Sequence, residues 1–143
     1  MKINSSLKQS DQHKVDKLIL DFLHSWNDKD EVAYAALFTE DAEYTAVTKE
    51  TYIGRDTIAN KHIYPFTVIN RLARLTFDEV WLRYIGPNII FFTAQWTVKG
   101  SVDEKGNKLS PREGVLNAIV KVDDSNTLIS HVFNTDIGAQ YFD

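Results

Sequence analysis

The sequence predicts an α+β domain in which helices come first and an antiparallel strand meander comes last. Three observations carry this. An apolar stripe at helical spacing lies near the N-terminus, Pro65 ends the last helical stretch, and four long strand-like runs fill residues 73–137. The chain has 143 residues, the size of one domain, so residues 1–143 are expected to form a single unit. Residues 1–9 are polar and are expected to be a flexible N-terminus.

Val15, Leu18, Ile19, Phe22, Leu23 and Trp26 fall on one face of a 3.6-residue period and predict the first helix. Ser10 is the expected cap, and Asp11 suits the positive end of the dipole. His24 projects from the opposite face, toward water. A second helix is predicted from Glu31 to Phe38, capped by Asp30, with Val32, Ala33, Ala36 and Leu37 on its buried side. Ala42 to Val47 reads as a strand, and Thr48 to Tyr52 as a loop or a second short strand. Gly54 allows a tight turn into a third helix, Asp56 to Tyr64, which Pro65 should stop. The expected strands are Ala73–Tyr84, Ile89–Lys99, Arg112–Val122 and Leu128–Ile137.

The run Ile89-Ile90-Phe91-Phe92 puts bulky apolar groups on both faces of one strand. Helices cover only one face. The other face calls for a second subunit, giving a homodimer through the sheet, or for cover from the C-terminal residues or the long loop.

Composition narrows the function classes. Hydrophobic residues make up 43% and charged residues 25%, as in an ordinary soluble domain. The net charge is -4 and Lys and Arg are scattered among acids, which argues against a nucleic-acid partner. Cysteine is absent, so disulfides, thiolate nucleophiles and Cys-bound zinc are impossible. No run approaches the roughly 18 apolar residues of a membrane span, and the N-terminus lacks a signal-peptide pattern. A cytoplasmic protein without membrane contact is the expectation. Neither a glycine-rich phosphate loop nor a His-x-x-x-His pair occurs, so no metal and no cofactor is expected.

One segment carries a resemblance. Trp26-Asn27, Asp30 and the run from Tyr34 to Ala42 (YAALFTEDA), then Gly54-Arg55, Ile58 and His62, resemble the SgcJ/EcaC branch of the SnoaL-like, or nuclear-transport-factor-2-like, superfamily. Val132-Phe133-Asn134-Thr135 is similar to that family's closing strand, usually Phe-His-Asn-Thr. The resemblance implies a cone-shaped cystatin-like fold, with three N-terminal helices on a strongly curved antiparallel sheet and a cavity between the layers. Members of the superfamily include polyketide-related cyclases, ketosteroid isomerase and proteins with no assigned reaction, so fold alone does not name a function.

His62 is the first candidate site residue and the one candidate for a catalytic role. It follows Ile58 by four positions on an inward helical face, and an imidazole can donate, accept or shuttle a proton near neutral pH. The alternative is a buried histidine satisfied by a backbone carbonyl. His131 alternates with Ile129 and Phe133 and belongs either in the cavity or on the outer sheet face. Asn134 matches the family motif and either binds a ligand or serves as a buried amide. Arg112 is able to fork onto an acidic ligand, or to pair on the surface with Glu113 or Asp103. Trp26, Tyr44, Tyr52 and Trp96 supply aromatic lining, or plain core. Carrying over the ketosteroid isomerase pattern places Phe22 at the tyrosine position and Ala46 at the catalytic aspartate position, which disarms that mechanism.

Three functions stay open at this point. The first is a domain binding a small apolar or aromatic molecule. The second is a proton-transfer enzyme (isomerase, dehydratase or cyclase) acting on a cyclic or polyketide-like carbonyl compound. The third is a non-catalytic association module.

Overall fold

The structure is a computed structural model and describes residues 1–138. Its elements are β1 (Lys2–Ser5), α1 (Gln9–Asn27), α2 (Glu31–Ala35), β2 (Phe38–Thr45), β3 (Thr51–Ile53), α3 (Arg55–Tyr64), a π-helical segment (Pro65–Ile69), β4 (Arg74–Gly86), β5 (Ile89–Lys99), β6 (Arg112–Val122) and β7 (Thr127–Asp136). All seven strands join one sheet in the order β1-β4-β5-β6-β7-β2-β3.

The α+β class and the four long strands match the sequence reading. Several details do not. The three α-helices are not an N-terminal block, because β1 precedes them and β2 and β3 separate α2 from α3. The sheet is not wholly antiparallel, since β1 pairs parallel to β4 and β2 parallel to β7. The expected loose N-terminus is in part a strand. Lys2 to Ser5 align with Glu79 to Leu82, and Asn4 Nδ2 donates to Glu79 Oε1 at 3.0 Å. Alternating polar residues gave no signal there, because what orders this segment is the unpaired edge of β4.

α1 starts one residue before the expected cap, with Lys8 at the N-cap and no side-chain bond from Ser10. Its apolar stripe is buried as expected and His24 is exposed. Asp30 caps α2 by accepting from Ala33 N at 2.9 Å, an interaction worth about 1 kcal/mol. The buried face of α2 differs from the expected one. Val32 is 69% exposed, while Tyr34 and Ala35 are buried. A five-residue helix is too short for periodicity to set its phase, and the larger Tyr34 ring takes the interior.

Pro65 ends α3 without ending the helical path. Lacking an N–H, it interrupts the i to i−4 ladder, and the chain widens into a π-turn closed by Asn70 N donating to Pro65 O at 2.7 Å. This turn carries Ile69 and Asn70 to the cavity wall.

Two side chains tie the helical layer to the sheet. Asn27 donates to Leu75 O at 3.0 Å and accepts from Leu75 N at 2.8 Å, as a neighbouring strand would. Arg55 sends Nε and Nη2 to Phe38 O at 3.0 and 2.7 Å. Asn27 and Arg55 of the sequence pattern are therefore structural tethers. Register shifts in β4, between β2 and β7, and between β6 and β7 bend the sheet around the helices.

The inner face of β5 (Ile90, Phe92, Ala94, Trp96, Val98) is fully buried, whereas its outer face is only partly covered. Outside, Trp81, Thr93, Asn117 and Phe133 stand in one row across β4 to β7. Arg83, Phe91, Ile119 and His131 stand in the next row. Among the described residues no helix is long and apolar enough to cross a membrane.

Candidate functional site

Between the helices and the inner sheet face lies an open cavity of about 320 Å³. Phe22 and Trp26 of α1, Tyr34 of α2, and Leu75, Phe77, Trp96, Val98 and Leu116 of the sheet make its apolar wall. Tyr44, His62, Asn70, Arg112 and Asn134 supply polar groups, and Ala46, Val47, Thr48, Tyr52, Lys61 and Tyr64 complete the lining. Of the site residues expected from sequence, Trp26, Tyr44, His62, Trp96, Arg112 and Asn134 come together here.

His131 does not. It lies on the outer face, with Nε2 3.7 Å from Glu43 Oε2 and Nδ1 2.9 Å from Ser130 Oγ. The reason is a bulge. Ile119 pairs with His131 while Val120 pairs with Ile129, so Ser130 is an extra residue in β7. Alternation restarts after it, which puts Ile129 and Val132 inside and His131 and Phe133 outside.

His62 is 7% exposed. Its Nδ1 lies 2.7 Å from Ile58 O, so Nδ1 carries the proton and donates. That bond leaves Nε2 as an acceptor, and no group among the described residues pairs with it. The ring lines the cavity, with Nε2 its uncommitted nitrogen among the described residues. The same ring bonds a backbone carbonyl and lines the cavity. Burial pushes its pKa below the ordinary value, with the Ile58 bond opposing. The ring is thus neutral near pH 7.

Tyrosines surround it. The Tyr34 and Tyr44 rings lie 4.7 and 5.0 Å from the imidazole, centroid to centroid. Tyr34 OH donates to Tyr44 OH at 3.3 Å. Burial raises the pKa of both phenols, and for Tyr44 the bonds from Tyr34 and Asn134 oppose that rise. Asn134 also accepts from Trp96 Nε1 at 2.7 Å, so it is a structural amide on the cavity wall. Gly114 makes room for this indole, because a Cβ there would collide with Trp96 and with Thr135 O.

Arg112 pairs with neither Glu113 nor Asp103. Its Nη1 lies 3.5 Å from Asp136 Oδ2 and its Nη2 3.4 Å from Asn70 Oδ1. Asp136 pairs across the sheet with Gly114, which sets it diagonal to Arg112, whereas Glu113 points to the other face. Phe22 and Ala46 both line the cavity, and among the described residues no carboxylate does. Sequence reasoning missed Tyr34, Lys61, Tyr64 and Asn70. Tyr34 was hidden by the undetermined phase of α2, and Asn70 by the unforeseen π-turn. Among the described residues no group of three or more His, Cys, Asp or Glu side chains is placed to hold a metal ion.

No protein-family model matches the chain, and no curated protein is similar to it by sequence. Solved structures are similar in shape. An uncharacterised protein with a cystatin-like fold from Caulobacter vibrioides superposes with a TM-score of 0.80 at 18% identity, covering 90% of this chain and 91% of its own. A cystatin-like domain from Nostoc punctiforme gives 0.77 at 18%, covering 94% and 83%. A ketosteroid isomerase-like protein from Erwinia carotovora atroseptica gives 0.74 at 13%, covering 92% and 99%. The fold is cystatin-like. At these identities the likeness concerns the fold alone.

The depressed pKa of His62 makes a pH prediction. The folded state binds this proton less readily than the unfolded chain, whose pKa is about 6.5. The resulting stabilisation is complete above that value and is lost as pH falls toward the depressed one. Urea unfolding between pH 7.5 and 5 should therefore show a steeper acid loss in the wild type than in His62→Gln. Parallel curves for the two proteins would contradict a buried neutral imidazole.

Proposed function

We propose that this chain is a small-molecule-binding protein of the SnoaL-like superfamily, SgcJ/EcaC branch, whose ligand occupies the cone cavity. The carrying observation is the open cavity of about 320 Å³ with a mainly aromatic wall and a few convergent polar groups. That is the size and character of a site for a small apolar or aromatic molecule. Titration of the wild type with mono- and bicyclic aromatic compounds should alter the fluorescence of Trp26 and Trp96 and raise the Tm. Ligand at a hundred times Kd adds about 2.7 kcal/mol to stability. Ala46→Phe, which fills the lining, should abolish binding and keep the fold by circular dichroism. Equal binding by Ala46→Phe and wild type would place the ligand elsewhere.

A second reading is a proton-transfer enzyme acting on a cyclic carbonyl compound. It is favoured by one observation, the neutral His62 that lines the cavity with its tautomer set by Ile58 O. The likeness to a ketosteroid isomerase-like protein is in keeping with it, although Phe22 and Ala46 stand at the positions of that family's own acid and base. The chemistry left is abstraction by Nε2 with the Tyr44 hydroxyl as donor to the forming enolate oxygen. Exchange of α-hydrogens for deuterium in cyclic ketones, followed by NMR, should be accelerated by wild type and lost in His62→Gln. The same exchange rate in both proteins would remove the catalytic reading.

We also propose a homodimer through the outer sheet face. Its support is the aromatic and aliphatic patch of Trp81, Phe91, Ile119 and Phe133, of which Phe133 is 57% exposed. Sedimentation at tens of micromolar should give a dimer for wild type and a monomer for Phe133→Glu. A monomeric wild type would leave this face without the partner assigned to it.

A further inference from the structure

Among the described residues, the ionisable groups on the cavity wall, phenols apart, are all basic: Lys61, His62 and Arg112. None of the described Asp or Glu side chains lines it. Among these three, His62 is held neutral by its burial, and Lys61 stands at an exposed position with Glu50 4.0 Å away. Arg112 is different. Its side chain is 32% exposed, and its two contacts, Asp136 at 3.5 Å and Asn70 at 3.4 Å, lie at the outer limit of hydrogen bonding. Asn70 Oδ1 is already engaged by Ser101 Oγ at 2.7 Å. Among the described residues Arg112 Nε has no partner, so a five-donor group borders an apolar cavity with most of its capacity unused.

We propose that the ligand of this cavity is an apolar carboxylic acid whose carboxylate forks onto Arg112 while its hydrocarbon body lies against Trp26, Phe77 and Leu116. The proposal rests on the reading of the cavity as a ligand site. A planar guanidinium presents two parallel N–H groups that match the two oxygens of a carboxylate. Asp136 holds the guanidinium in place but is too distant to saturate it. The apolar wall strengthens the pair by excluding water.

The probes are 2-naphthoate and its neutral isosteres 2-naphthamide and 2-methylnaphthalene, titrated calorimetrically into the full chain. Wild type should favour the acid over the amide by about tenfold or more, the usual strength of a charge-assisted fork. Arg112→Gln should cut that preference to less than about threefold. In the wild type itself, the Arg112 Nε–H resonance should shift with naphthoate and stay in place with naphthamide, a readout that does not depend on how the variant folds. Equal affinity for acid and amide would overturn the carboxylate proposal and leave the cavity reading standing. Silence of all three compounds would overturn both. A preference that survives Arg112→Gln, or an unmoved Nε–H signal, would remove Arg112 from the assignment.

Discussion

The cavity depends on how the helices are attached to the sheet. They are held by side chains that imitate a strand edge or cap a carbonyl, and not by flush apolar packing alone. Asn27 satisfies both backbone groups of Leu75, and Arg55 doubles onto Phe38 O. Each tether satisfies groups that would otherwise be costly to bury, and each acts at one end of the helical layer. Between the layers, aromatic side chains line a cavity of about 320 Å³ without filling it. Asn27 and Arg55 do this structural work, while Trp26, beside Asn27, lines the cavity.

The polar groups inside are ordered by a few bonds that leave one function free on each. His62 spends Nδ1–H on Ile58 O and keeps Nε2 uncommitted among the described residues. The Tyr44 oxygen takes the Tyr34 proton, and its own proton remains to be donated. Asn134 is occupied by Trp96 Nε1, which in turn requires the bare Cα of Gly114. Arg112 is anchored loosely by Asp136 and Asn70. The result is a largely aromatic hollow with one imidazole, a phenol pair and one guanidinium, and among the described residues no carboxylate in its lining.

The outer face presents the opposite problem. Its register rows bring Trp81, Phe91, Ile119 and Phe133 onto one surface. His131 and Glu43 add a polar margin beside them. Inner cavity and outer patch share strands but not side chains, so a ligand and a partner are able to occupy the domain together. The bulge at Ser130 is what separates the two sets on β7.

By itself the sequence determined the local elements. The apolar stripe of α1, the cap at Asp30, the full extents of β5 and β6 and the inward place of His62 follow from periodicity, capping and alternation, which are short-range rules. Tertiary structure decided the rest, because each remaining choice depends on a partner distant along the chain. Lys2 to Ser5 became a strand only because β4 offered an edge. Tyr34 turned inward because Tyr44 and His62 were there to meet it. Asn70 reached the cavity through a π-turn that relieves the missing N–H of Pro65. One inserted residue in β7 moved His131 to the outer face, since a period of two carries no memory across a bulge.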